Sequence, residues 1–112
     1  MIEKTMLDYL NAELSVPVRM QRPESPPSKY VLIEKTGSTA ANKIHKANMA
    51  FQSYAPTLYE AAELNEQVKE AVESAPDTLT EVGAVRLNTD YNFTDTNAKQ
   101  YRYQAVFVIT HH

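Results

Sequence analysis

The sequence contains no cysteine, no tryptophan and only two glycines, Gly37 and Gly83, in 112 residues. Without cysteine the chain can form no disulfide, no thiolate zinc site and no cysteine nucleophile. Two glycines this far apart also exclude the glycine-rich loops that hold phosphate, because the P-loop and the dinucleotide-binding fingerprint need closely spaced glycines. Several large enzyme classes are therefore excluded.

Charge and hydropathy narrow the class of protein further. The formal net charge is −3, and 43% of the residues are hydrophobic, which is ordinary for a globular protein and argues against electrostatic wrapping of nucleic acid. No apolar run approaches the roughly 20 residues that span a bilayer, and the N-terminus lacks the pattern of a secretory signal. We expect a cytoplasmic protein, without a membrane partner, that folds as a single domain over residues 1–112.

Two segments have the periodicity of amphipathic helices. Apolar residues recur at every fourth position in residues 2–14, and residues 58–72 combine a broad apolar side with a row of glutamates. Thr57 lies three residues before Glu60, which is the spacing of a capping box. Pro76 is expected to end this second helix.

The other segments predict strands. A short extended piece at residues 15–18 leads into a proline-rich connector, and residues 29–36 contain the apolar run of a central strand. A turn is expected at residues 37–42, followed by a strand with one wet face at residues 43–54. These two strands suggest an antiparallel hairpin.

The last third predicts two long half-buried strands, because its apolar residues fall on odd positions. They are Leu79, Val85, Leu87, Tyr91 and Phe93 in the first run, and Tyr101, Tyr103, Ala105, Phe107 and Ile109 in the second. The polar residues 94–99 between the runs suggest a protruding hairpin. The predicted fold is α+β, with the order α-β-β-β-α-β-β, in which two helices pack on a mixed, mostly antiparallel sheet of about five strands.

No group of residues indicates catalysis, a cofactor or a metal. The three histidines, His45, His111 and His112, lack metal-ligand spacing, and an exposed strand residue and a frayed tail are the favoured interpretation. The segment from Asp90 begins like a calcium loop but lacks the required glycine and the final glutamate. We expect no enzyme. Strand aromatics can stack on bases, but the basic residues are few and scattered.

The layout of the chain resembles the tail terminator (tail-to-head joining) proteins in the neck of long-tailed bacteriophages and prophages of Gram-positive hosts. The resemblance extends along nearly the whole chain. It rests on the opening helix with residues 14–18, and on residues 30–37, 51–55, 58–72, 91–93 and 101–107. None of these segments is a catalytic signature.

The resemblance implies a structural protein of the virion, present in the host cytoplasm during assembly. Six copies would form a ring that caps the tail tube, ends its polymerisation and joins the tail to the head. The implied partners are further copies of the chain, the major tail tube protein and the head–tail connector protein, while DNA passes through without sequence-specific binding. Another neck component, such as a head- or tail-completion protein, and a non-enzymatic sheet-face binding module remain alternatives.

Two sets of residues are candidates for this assembly. A two-stranded ribbon with this much aromatic surface is expected to pack against another surface, in its own domain or on a neighbouring subunit. Tyrosine suits an interface because its ring is buried while its hydroxyl keeps a polar partner. The predicted subunit or partner interface consists of Tyr91, Phe93, Asp95, Lys99, Tyr101 and Tyr103. The candidates for pore-facing acids, which would repel DNA phosphates, are Glu60, Glu63, Glu66 and Glu70.

Overall fold

The computed structural model describes residues 1–97 and 100–112, which form one five-stranded sheet with helices on one side. The elements are α1 (Ile2–Glu13), β1 (Val18–Arg19), β2 (Tyr30–Ala41), β3 (Ile44–Ala55), α2 (Leu58–Glu73), α3 (Ala75–Thr78), β4 (Val82–Asn92) and β5 (Tyr101–His111). The strand order is β1-β2-β3-β5-β4, and every pairing except that of β1 with β2 is antiparallel. The predicted fold class and order of elements are confirmed.

The core lies between the two long helices and one face of the sheet. The helices bury Ile2, Met6, Tyr9 and Leu10 from α1, and Ala61, Leu64, Val68 and Val72 from α2. On the sheet, the fully buried rings of Phe51 and Phe107 meet edge to face with centroids 5.8 Å apart. None of the helices in the described residues is long and apolar enough to cross a membrane.

The ends of α2 follow local side-chain chemistry. The hydroxyl of Thr57 accepts a hydrogen bond from the backbone N–H of Glu60 at 3.1 Å, as the capping-box spacing predicts. The expectation that Pro76 ends this helix is wrong. α2 ends at Glu73, and Pro76 lies in the first turn of α3, where a missing N–H leaves no hydrogen bond unmade.

The β2–β3 hairpin is longer than the sequence predicts. Residues 37–41, expected to form a turn, pair with residues 44–48, and the chain reverses at Asn42 and Lys43 alone. Their φ angles of 53° and 65° are both left-handed, which is typical of the tight type I′ turn that matches strand twist. Gly37 follows a β-bulge inside β2 instead of forming the turn. The hairpin therefore extends to a narrow tip.

β4 has two register shifts, one at Gly83 and one after Leu87. The second, here called the β4 bulge, makes the odd-position alternation wrong for the second half of that strand. Leu87 lies opposite Phe107 on the helix side, but the register shifts between Leu87 and Thr89. Beyond the shift Asp90 lies opposite Ala105, so the even positions now face the helices and the odd ones face away. A single extra residue moves every following side chain to the other face.

β5 is an inner strand of the sheet. It pairs along its length with β3 on one side and with β4 on the other. Its alternation is confirmed by Ala105, Phe107 and Ile109, which are fully buried. The β4–β5 hairpin is therefore part of the sheet and not a separate ribbon, and its aromatic residues are displayed on the two faces of that sheet.

Candidate subunit interface

Exposed aromatic side chains gather at one end of the sheet, where β3 and β4 end and β5 and α2 begin. The exposed fraction is 76% for Tyr59, 41% for Tyr101 and 39% for both Tyr91 and Phe93. Leu58, at the start of α2, is also 41% exposed. Apolar surface gathered in one place marks a binding site more often than scattered exposed residues do. This end of the molecule is the candidate interface.

The sheet divides the predicted interface tyrosines between its two faces. Tyr101 and Tyr103 occupy alternate positions of β5 in line with Ala105, which faces the helices. Both tyrosines therefore lie on the helix side of the sheet. Tyr91 lies opposite Gln104 on the other face, here called the open face. Phe93 contacts Tyr91 edge to face with centroids 5.6 Å apart, so it belongs to the open-face group. The predicted interface treated these residues as one surface, because no residue in the sequence indicates the bulge.

The remaining two predicted interface residues follow β4 in the chain. Asp95 is exposed, and its carboxylate accepts a hydrogen bond from the backbone N–H of Asn97 at 2.9 Å. Lys99 lies outside the described residues. The local bond of Asp95 is that of an Asx turn, which shapes the loop without involving another part of the molecule.

A row of hydrogen-bonded side chains crosses the open face. The Tyr54 hydroxyl donates to Gln52 at 3.2 Å, the Gln52 amide donates to Gln104 at 2.8 Å, and the Gln104 amide donates to the Tyr91 hydroxyl. Arg102 donates to the Tyr54 hydroxyl at 3.0 Å. Because each member fixes the next, the exposed ring of Tyr91 is held in one orientation.

Arg102 links the two aromatic groups of the open face. Its guanidinium carbon lies 4.3 Å from the ring centroid of Phe93 and 5.5 Å from that of Tyr54, within the range of cation–π attraction. The ring of Tyr54 also stacks on the fully buried ring of Tyr30 at 4.5 Å, and burial raises the pKa of the Tyr30 hydroxyl. These contacts were not predicted, because they depend on which strands are neighbours.

On the helix side, an open groove of about 410 Å³ separates α2 from β5. This α2–β5 groove is lined by Tyr59, Ala62, Glu63, Glu66 and Tyr103. Its aromatic and alanine side chains are apolar, and its two glutamates are exposed acids. Tyr59 is a functional candidate that sequence reasoning missed. Its one signal was a large aromatic residue on the polar side of an amphipathic helix.

The four predicted pore acids all lie on α2, but their surroundings differ. Glu60 is half-buried and lies 3.4 Å from the Lys29 ammonium, and Glu66 lies 3.0 Å from that of Lys69. Glu63 and Glu70 are exposed. A role in lining a pore stays a prediction for all four.

The β4 bulge brings an acid under α2. The carboxylate of Asp90 accepts hydrogen bonds from the side chains of Asn65 at 2.9 Å and Lys69 at 3.0 Å. Hydrogen bonds to Asp90 and to Glu66 raise the pKa of Lys69. Asn65 is only 1% exposed, so its amide depends on Asp90 for a partner. This cluster fixes α2, and with it the groove, against the edge strand.

Replacing Asp90 with alanine should lower the free energy of unfolding by about 1–3 kcal/mol, because the buried Asn65 amide then loses its acceptor. Urea denaturation followed by circular dichroism measures the change. Asp8→Ala is the matched control: it removes an exposed carboxylate paired with Lys4 and should change stability by less than about 0.5 kcal/mol. Equal effects of the two substitutions would show that the Asp90 cluster does not hold α2.

The histidines lie closer together than the sequence predicts. His45 is directly opposite His111 on the neighbouring strand, with ring centroids 5.5 Å apart. His111 therefore belongs to β5 and not to a frayed tail, although His112 is exposed. Across residues 1–97 and 100–112, no group of three or more His, Cys, Asp or Glu residues is placed to hold a metal ion.

Comparison with known proteins assigns no family. No protein-family model matches the chain, and no curated protein matches it. Function therefore has to be inferred from the geometry of the aromatic end and the groove.

Proposed function

We propose that the chain is a ring-forming structural protein in the neck of a long-tailed bacteriophage virion, and that it acts as the tail terminator. In this role six copies cap the last ring of the tail tube, halt its polymerisation and present a surface to the head–tail connector protein. The observation that carries the proposal is the exposed aromatic surface at one end of the sheet. No catalytic step is part of this role.

The physical support comes from where the aromatic side chains lie. Tyr59 and Tyr101 are exposed on the helix side, and Tyr91 and Phe93 are exposed on the open face. A monomer leaves both groups in water, whereas interfaces are enriched in tyrosine and phenylalanine. The hydrogen-bonded row behind Tyr91 adds preorganisation, which lowers the entropy cost of association.

Charge supports a conduit for DNA. The chain has a net charge of −3, and four acids that remain candidates for the pore lie along α2. A ring wall with excess carboxylate repels phosphate, so DNA slides through without being bound.

The other neck proteins are the nearest alternative, because a head- or tail-completion protein also needs an exposed aromatic contact surface. The sheet-face binding module has less support. Single-stranded nucleic acid binds by stacking on exposed rings along a positively charged groove. The most exposed ring, that of Tyr59, lies instead in a groove with Glu63 and Glu66, and the face of Phe93 is covered by Arg102.

Mass photometry and sedimentation velocity of the purified chain test the proposal. We expect a hexamer, or a monomer that closes into six-membered rings when purified tail tubes are added, visible by negative-stain electron microscopy. A dimer whose mass is independent of concentration, or a chain that never caps the tubes, would contradict the tail terminator assignment.

A further inference from the structure

We infer that the tip of the β2–β3 hairpin of one copy binds the α2–β5 groove of the next copy. This inference rests on the proposed ring and names the two surfaces that close it. The partner is a second copy of this chain because the tip and the groove match in charge and in apolar character.

The hairpin tip, residues 42–46, presents one apolar side chain among cations. Ile44 is 50% exposed, directly after the tight turn at Asn42 and Lys43. Lys43 and Lys46 are both exposed, and no ion pair joins either ammonium group to any residue that the structure describes. An exposed isoleucine between unneutralised lysines is suited to an apolar groove with an acidic rim.

The α2–β5 groove has that complementary composition. Tyr59, Ala62 and Tyr103 give it an apolar surface, and Glu63 and Glu66 supply the acids. Within the described residues Glu63 takes part in no ion pair, and Glu66 has the neighbouring Lys69. Opposite charges around an apolar contact steer association and fix its orientation. In this contact Glu63 and Glu66 lie between subunits, which leaves Glu60 and Glu70 as the candidates for the pore.

The tip cannot reach the groove of its own chain. Ile44 begins β3, and Ser53, which lies opposite Tyr103 of the groove, is nine residues further along the same strand. At about 3.3 Å per residue the two sites are about 30 Å apart, in a molecule whose longest extent is 45 Å. Two different surfaces at opposite ends give a heterologous head-to-tail contact, which repeats into a closed ring or an open filament.

Introduced cysteines test this contact directly, because the chain has none of its own. A disulfide requires Cα atoms within about 7 Å, so Ile44→Cys and Tyr59→Cys in one chain can pair only between copies. Mild oxidation of this double variant should give a ladder of multiples on a non-reducing gel, ending at a closed six-membered species and lost on reduction.

Two controls set the background of random cross-linking. Ile44→Cys alone can give at most a dimer, and Ile44→Cys with Glu13→Cys places the second thiol at an exposed position of α1 that is not part of the groove. If the Ile44/Tyr59 pair gives no more cross-linked multimers than the Ile44/Glu13 pair, the inference is wrong. If rings still form in that case, the proposed function stands without it. If the Ile44/Tyr59 variant forms cross-linked multimers that extend beyond six copies, the contact is supported and the ring is contradicted.

Charge exchange gives an independent readout. One variant carries Lys43→Glu and Lys46→Glu at the tip, and the other carries Glu63→Lys and Glu66→Lys at the groove. Each alone juxtaposes like charges and should associate roughly tenfold or more weakly than the wild type. An equimolar mixture should assemble again, because every contact between unlike copies is then complementary.

The mixture result separates this contact from a general effect of charge. Glu13→Lys with Glu73→Lys makes the same change in net charge as the groove variant, but at exposed helix positions that do not line the groove. It should assemble as the wild type does. Assembly of either tip or groove variant alone, at wild-type strength in sedimentation velocity, would overturn the inference.

Discussion

Phe107→Ala should lower the free energy of unfolding by about 3–5 kcal/mol, the range for removing a buried phenylalanine side chain. Phe107 is fully buried in the inner strand β5, between Met49 of β3 and Leu87 of β4, and its ring packs edge to face on that of Phe51. Alanine leaves a cavity in the core where β5 packs against α2. Urea denaturation followed by circular dichroism at low protein concentration measures the loss.

A neighbouring residue on the same strand is the control for Phe107. Val106 is half-buried on the open face, so Val106→Ala should cost less than about 1.5 kcal/mol. Similar losses for the two substitutions would mean that the core does not lie between the helices and the sheet. A loss of assembly by Phe107→Ala that follows its loss of stability would carry no information on the interface.

Local chemistry made the helices and the type of fold predictable. The capping box at Thr57 and the apolar stripe of α2 depend on residues within a few positions of each other, and both are present as predicted. The alternation in β5 is equally local, and it holds at Ala105, Phe107 and Ile109. These patterns determine which face of an element is buried before any neighbour is known.

The β4 bulge left no sign in the sequence. Its extra residue lies between Leu87 and Thr89, where no glycine or proline marks an irregularity. The physical reason becomes clear only with the partners in place: the shifted register puts the carboxylate of Asp90 within reach of Asn65 and Lys69. The same shift moves Tyr91 to the open face, so the predicted interface was divided.

The candidate site could be predicted in its residue types but not in its arrangement. Tyrosine on the closing strands suggested an interface, yet the α2–β5 groove exists only because α2 packs beside Tyr103. The position of β5 between β3 and β4 is set by pairing between distant parts of the chain, and no local sequence pattern predicts it. Tyr59 became a candidate for the same reason: its exposure of 76% depends on where the helix docks.

The double substitution Tyr101→Glu and Tyr103→Glu should prevent assembly while leaving the secondary structure intact. Tyr101 is 41% exposed and Tyr103 is half-buried along the groove, so neither belongs to the buried core. Losing an aromatic interface anchor typically costs about 2 kcal/mol or more of binding. The new carboxylates face the basic tip, but an exposed ion pair contributes only about 0–1 kcal/mol. The loss of two rings therefore outweighs this attraction and weakens association by well over tenfold. Mass photometry measures the remaining oligomer, and circular dichroism checks the fold.

The new carboxylate at position 103 lies near Glu63 and Glu66, so repulsion within the chain has to be separated from loss of the contact. Tyr101→Lys with Tyr103→Lys removes the same rings but places cations beside those acids, which preserves the fold, and it should also stay unassembled because it repels the basic tip. Ser25→Glu with Thr96→Glu adds two charges at exposed positions outside the groove and should assemble normally. If both tyrosine variants unfold, these rings stabilise the monomer. If both fold and assemble, the subunits meet elsewhere.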